Sequence, residues 1–212
     1  MKLVLLLGLL GSVACSTTDP KPDSGMDASV DSGVDASADA STDASTDSGT
    51  DSGVSQRRIF VTDTVQGANF GGISGADALC ASQAAAASLQ GEFKAWLSTI
   101  SSSVSDRLTQ STVPYVLVDG TVIANDWSDL TDGSILAPIN LDATGQPRRG
   151  DVWTGTRADG LPYTGGDCVG FTSNSDAEGI GLCGSTGLTN ARWTAAATPS
   201  CSLALYLYCI EQ

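Results

Sequence analysis

Leu203-Ala204-Leu205-Tyr206-Leu207-Tyr208-Cys209 alternates two apolar sets. In an extended chain Leu203, Leu205, Leu207 and Cys209 face one way, and Ala204, Tyr206 and Tyr208 face the other. Neither set is strongly polar, so the stretch predicts a strand buried on both faces. A strand of that kind needs structure packed above and below it, and the rest of the chain supplies the parts. Ile59-Phe60-Val61-Thr62 is the first strand-like run. Phe93, Ala95 and Leu97 alternate with Lys94 and Trp96. Tyr115-Val116-Leu117-Val118 and Thr121-Val122-Ile123-Ala124 flank Asp119-Gly120, which predicts a hairpin with a type I′ turn. Val152-Trp153-Thr154 is a further short strand. One segment reads as helix: Ser74-Gly75-Ala76-Asp77 has the form of a capping box, and the alanine-rich run after it ends before Gly91. One main helix among short antiparallel strands and long glycine-rich loops is an α+β pattern.

Composition changes at Arg57. Before it, aspartate recurs every fourth residue from Asp19 to Asp51, spaced mostly by alanine, serine, threonine, glycine and valine. On a helix these carboxylates would line one face and repel one another, and the interspersed glycines oppose helix. Almost no large apolar side chain is available to repay the entropy of ordering. Residues 15–56 therefore read as a disordered acidic stalk, spanning roughly 35 Å as a flexible coil. Residues 57–212 have the length of one domain and hold 15 acidic against 8 basic residues.

The whole chain carries 24 acidic and 10 basic residues, a net charge of −14. That balance excludes nucleic acid as a partner, since neutralising phosphates takes clustered lysine and arginine. Histidine is absent, which removes the commonest general base and the commonest zinc ligand. Lys94 is the only lysine after Arg57, and no serine partner for it is evident. The expectation is a non-enzyme without cofactor or metal.

Met1 to Ala14 joins one positive charge, Lys2, to an apolar run from Leu3 to Leu10 and then small residues. The run is too short for a bilayer and reads as a secretory signal, residues 1–14. Gly11-Ser12-Val13-Ala14-Cys15 resembles the lipobox of bacterial lipoproteins, which implies lipidation at Cys15 and a membrane partner through that lipid. The expected location is the cell envelope, at the outer membrane or cell surface. Export places the other cysteines in oxidising conditions, so disulfides are expected.

Several blocks, in order, resemble endostatin and its bacterial endostatin-like relatives, which have a C-type-lectin-like fold. They are Gly75-Ala76-Asp77-Ala78-Leu79-Cys80, Gly91-Glu92-Phe93-Lys94-Ala95-Trp96-Leu97-Ser98, Val113-Pro114-Tyr115-Val116, Asp126-Trp127-Ser128-Asp129-Leu130, Val152-Trp153-Thr154-Gly155, and Leu207-Tyr208-Cys209-Ile210-Glu211. The resemblance covers nearly all of residues 57–212. It implies nested disulfides, Cys80 with Cys209 and Cys168 with Cys201, and it leaves Cys183 unpaired. The glycines flanking Cys183 suggest a loop, in which it would be a free thiol, an intermolecular link or a competitor for Cys168. The family's histidine zinc site and arginine cluster have no counterpart, since the arginines here are scattered among more numerous acids.

The resemblance implies an adhesin-like domain that binds an extracellular protein or glycan. The rivals are a structural envelope lipoprotein without a specific ligand, and an acid-pair enzyme. No ligand-binding residue is identifiable from sequence. Arg149-Gly150-Asp151 matches an integrin-read tripeptide, but equally a turn in which Gly150 supplies backbone freedom. The loop acids Asp167, Asp176 and Glu178 read as ion ligands or as solvated charge. Trp96, Trp127, Trp153 and Trp193 read as core, or as a ligand platform where two share a surface.

Overall fold

A computed structural model describes residues 55–212. The signal segment, Cys15 and the stalk expected over residues 15–56 lie almost wholly outside the described residues. Among the described residues seven strands and three right-handed α-helices build the domain: β1 (Arg57–Val61), α1 (Ile73–Ala86), β2 (Phe93–Ala95), α2 (Val104–Arg107), β3 (Tyr115–Val116), β4 (Val122–Ala124), α3 (Trp127–Leu130), β5 (Asp151–Trp153), β6 (Cys183–Ser185) and β7 (Tyr206–Glu211). Mixed helices and strands bear out the α+β class. Among the described residues no helix is long and apolar enough to cross a membrane.

The doubly buried last strand is the centre of the sheet, whose order is β4-β3-β1-β7-β5-β6 with β2 also on β7. Antiparallel β1 runs along one edge of β7, with Phe60 opposite Cys209. The other edge is shared: β5 pairs at Tyr206 and Leu207, and β2 pairs from Cys209 to Glu211. Period two then sorts the core into two halves. Leu207 and Cys209 join Phe60, Ala95, Trp153 and Phe171 on one face, under α1. Tyr208 and Ile210 join Ile59, Val61, Trp96, Tyr115 and Trp193 on the other. The expectation of antiparallel strands is corrected at two places, because β1–β3 and β5–β7 are parallel. In each pair long crossovers separate the strands, and length of that kind permits parallel pairing.

α1 docks through small residues. Ala76, Cys80 and Ala84, four apart, are its buried stripe. The expected capping box is not used. The helix begins one residue before Ser74, with Gly72 in the left-handed region at the cap position and no side-chain cap. Gly72 can adopt that conformation without cost, and the entry is fixed instead by backbone bonds to Phe171 O. Asp77 is thereby released for tertiary work: it accepts from Ala95 N at 2.9 Å and pairs with Arg107 at 2.7 Å.

The hairpin forms as expected, but its turn is different. Gly120 N donates to Leu117 O, Leu117 N donates to Thr121 O, and only Gly120 has positive φ. A type I′ turn needs positive φ at Asp119 as well, so this is the longer loop with a single left-handed glycine. Asp119 is used through its side chain, which accepts from Thr121 N at 2.9 Å.

Two carboxylates, Asp142 buried and Glu211 partly buried, tie distant or irregular segments. Asp142 accepts from the Thr144 hydroxyl and from the N–H groups of Thr144 and Gln146, and it pairs with Arg148. Glu211 holds Arg58 in a two-point bond at 2.8 and 2.7 Å, joining β1 to β7. Burial works to raise both carboxyl pKa values, but Thr144, Gln146 and Arg148 in the first case and Arg58 in the second outweigh it, and both lie below their ordinary values. A depressed folded-state pKa stabilises above the unfolded value and loses that contribution as pH falls through the folded one. Stability should therefore fall as pH drops below about 4, where free carboxyls begin to protonate. Asp142→Asn should shrink the fall, and urea unfolding at pH 7 and pH 3 measures it. A midpoint that is the same at both would contradict this account.

Candidate functional site

The segment from Asp167 to Phe171 departs furthest from ordinary backbone. Cys168 (φ 52°), Val169 (φ 58°), Gly170 (φ 64°) and Phe171 (φ 59°) form one left-handed helical turn. For L-residues this conformation costs about 1–2 kcal/mol each, and a β-branched residue such as Val169 is a genuine outlier there. The surroundings over-determine it. Phe171 is buried between the rings of Phe70 at 6.3 Å and Trp153 at 6.1 Å. Cys168 is bonded to Cys201 with Cα atoms 5.6 Å apart. Phe171 N donates to Asp167 O, and Gly170 N to Asp167 Oδ1 at 2.9 Å.

Strain of this kind is informative when it presents something. Here it presents Val169, which is 57% exposed although apolar. Two more exposed aliphatic side chains sit on the segments bonded to this turn. Ile100, 52% exposed, donates its N–H to Asp167 Oδ2 at 3.0 Å. Ile180, 38% exposed, accepts from Cys168 N through its carbonyl, and its side chain lies against Gly166. The Ile100 segment, distant in sequence, and the nearby Ile180 segment thus meet the turn at Asp167–Val169, which one disulfide and one phenylalanine staple to the core.

The sequence-derived site residues are placed as follows. Cys15, the lipidation residue, lies outside the described residues. Cys80 and Cys209 are bonded, Cα atoms 5.4 Å apart, as are Cys168 and Cys201. The expectation for Cys183 is corrected: among the described residues no cysteine is a free thiol. Nor is Cys183 in a loop. It lies fully buried in β6, paired to Trp153 of β5. Its flanking glycines serve close packing rather than a turn, since a Cβ at Gly181 would press on Cys168 Sγ and Trp153.

A family model described as protein of unknown function (DUF1554) matches residues 63–192. The chain belongs to this family. The DUF1554 match opens just after β1 and ends at Arg192, short of both Cys201 and β7, yet β1 and β7 are the pair on which the sheet is built. No curated protein matches the chain.

The other candidates in this DUF1554 chain are absorbed by structure. Asp151 of the integrin-like tripeptide is 8% exposed and belongs to β5, while Gly150 and Thr186 exchange hydrogen bonds across to the β6 side. Asp126 caps α3, Asp129 accepts from Asn125, and Asp132 accepts from Ser134. Arg58, Arg107, Arg148 and Arg157 each pair with a carboxylate, so no basic cluster gathers from them. Trp96, Trp153 and Trp193 are fully buried, and half-buried Trp127 lies beside Trp96 at 5.7 Å. Among the described residues no group of three acids or cysteines is arranged to hold a metal ion.

Proposed function

We propose that this protein is an adhesin-like binding protein of the cell envelope, lipid-anchored at Cys15, raised on residues 15–56, and binding a protein or glycan through the loops around Val169. The carrying observation is Val169 itself: an exposed aliphatic residue held in a conformation that valine avoids. Selection for stability alone would place glycine or asparagine there. The proposal extends to fold: an endostatin-like, C-type-lectin-like domain that binds rather than catalyses. Support for that finer reading comes from the pairings Cys80–Cys209 and Cys168–Cys201, which the resemblance implied, and from the central terminal strand.

Val169→Asn separates function from stability. Asparagine tolerates the left-handed region, so the variant should be as stable as the parent or more stable by about 1 kcal/mol. The same change removes the apolar centre of the surface, and ligand capture should drop at least about tenfold. The measurement is pull-down from cell envelope and from serum with the full chain, beside its thermal melt. Equal capture by both proteins would end this assignment of the site.

The anchor has its own test. Cys15→Ser should abolish acyl labelling and move the protein out of the detergent phase. Unchanged partitioning would reject lipidation at Cys15.

A further inference from the structure

We infer that the partner of the Val169 surface is a protein segment with an apolar centre flanked by lysine or arginine side chains. This rests on the binding role proposed above and adds the chemistry of the ligand. The loops that build the surface are one-signed. From Tyr163 to Asn190 the chain has three acids, Asp167, Asp176 and Glu178, and neither lysine nor arginine. Thr99 to Val104, on the Ile100 side, carries no charge.

The three acids differ in availability. Both oxygens of Asp167 are engaged by the N–H groups of Gly170 and Ile100, so it is scaffold. Asp176 and Glu178 lie exposed on a 3₁₀ turn that leads directly to Ile180. Asp176 is fixed by the hydroxyl of Ser200, and the backbone of Ser200 bridges to Ile180. The carboxylate therefore stands at the rim of the apolar surface, and the Ser200 hydroxyl holds its pKa below the ordinary aspartate value. It is charged throughout the physiological range.

An aliphatic centre with an anionic rim complements a cationic amphipathic segment. A sulfated glycan or an anionic lipid surface meets like charge instead. A neutral sugar stacks best on exposed aromatic rings, and the exposed side chains converging here are aliphatic.

Two immobilised synthetic peptides of equal length test this, one alternating leucine with lysine and one alternating leucine with glutamate. Immobilised heparin serves as the sulfated-glycan probe. The analyte is the full chain in detergent, so the charge of residues 15–56 is common to every variant and cancels in comparison. The leucine–lysine peptide should bind, and the leucine–glutamate peptide and heparin should not. Asp176→Asn with Glu178→Gln should weaken binding about fivefold and flatten its salt dependence. Val169→Asn should weaken it at least about tenfold. Unchanged affinity in the double variant, or heparin binding that depends on Val169, would overturn the inference. If Val169→Asn still abolishes capture from envelope or serum in that event, the binding site stands and only its ligand chemistry falls. If capture also ignores Val169, the site itself falls.

Discussion

Replacing Cys80 and Cys209 together by alanine should lower the stability of the folded domain by about 3–5 kcal/mol. Three features set that size. The bond spans 129 residues, almost the whole domain. In the chain-entropy model a loop of that length restrains the unfolded chain by about 5 kcal/mol, an upper figure because the Cys168–Cys201 loop is nested within it. Both sulfurs are also core atoms, fully buried beside Phe60, Ala95 and Leu207, so their loss leaves space that the sheet cannot easily close. The bond further clamps α1 to β7, the strand with three partners. A melting point lower by about 10 °C is expected for a domain of this size. Loss of Cys168–Cys201, which closes only 33 residues, has an upper figure of about 4 kcal/mol and should act on the Val169 loops first. Amide exchange would separate the two, showing global acceleration in the first variant and acceleration confined to the loops in the second. A shift under about 1 kcal/mol for the Cys80–Cys209 variant would mean that the bond does not close the fold.

The parts legible in sequence are those where one period dominates. β7 is readable because Leu207 to Ile210 are buried on both faces and no polar residue from Leu203 to Ile210 blurs the alternation, although the strand begins only at Tyr206 and Ala204 is exposed. The Asp119–Gly120 hairpin was readable because glycine punctuates two β-branched runs, but its turn type was not. That depends on whether Asp119 enters the left-handed region or uses its side chain to hold Thr121 N. The capping box misled because its local hydrogen bonds are weak beside the tertiary alternative: Asp77 gains Arg107 and Ala95 N, neither of which is near it in sequence. The binding surface was the least legible. Val169 and Ile180 each stand among glycines in a loop, Val169 before Gly170 and Ile180 between Gly179 and Gly181. An aliphatic β-branched residue in that setting is the one local sign that it is displayed rather than buried. Nothing local brings Ile100 to join them, because that contact runs through Asp167.

Cys183 shows the same limit from the other side, and it leads to the second large effect. Gly184 suggested a loop, but a glycine also appears where two backbones approach too closely for any side chain. An ideal Cβ at Gly184 would lie 2.6 Å from Trp193 C and 2.7 Å from Thr194 Cα, and nearer still to Trp193 O. All three are backbone atoms, so no rotamer change relieves the overlap. Nor can the opposing segment retreat. Trp193 is wedged between Trp96 at 5.1 Å and Tyr208 at 5.7 Å. Thr194 accepts from Trp96 Nε1 at 2.8 Å and from Thr154 through its carbonyl, and it donates to Thr156 O at 3.0 Å. Gly184→Ala should therefore cost about 3 kcal/mol or more, at the upper end of what one added methyl group does in a well-packed interior. Gly187→Ala, just beyond the end of β6, is the control. No atom lies within 4 Å of its Cβ and its φ is not positive, so its effect should stay within about 0.5 kcal/mol. Urea unfolding of the two variants side by side decides the matter. If Gly184→Ala unfolds with Gly187→Ala, β6 does not lie against the Trp193 backbone. The buried strand position of Cys183 would then have to be given up as well.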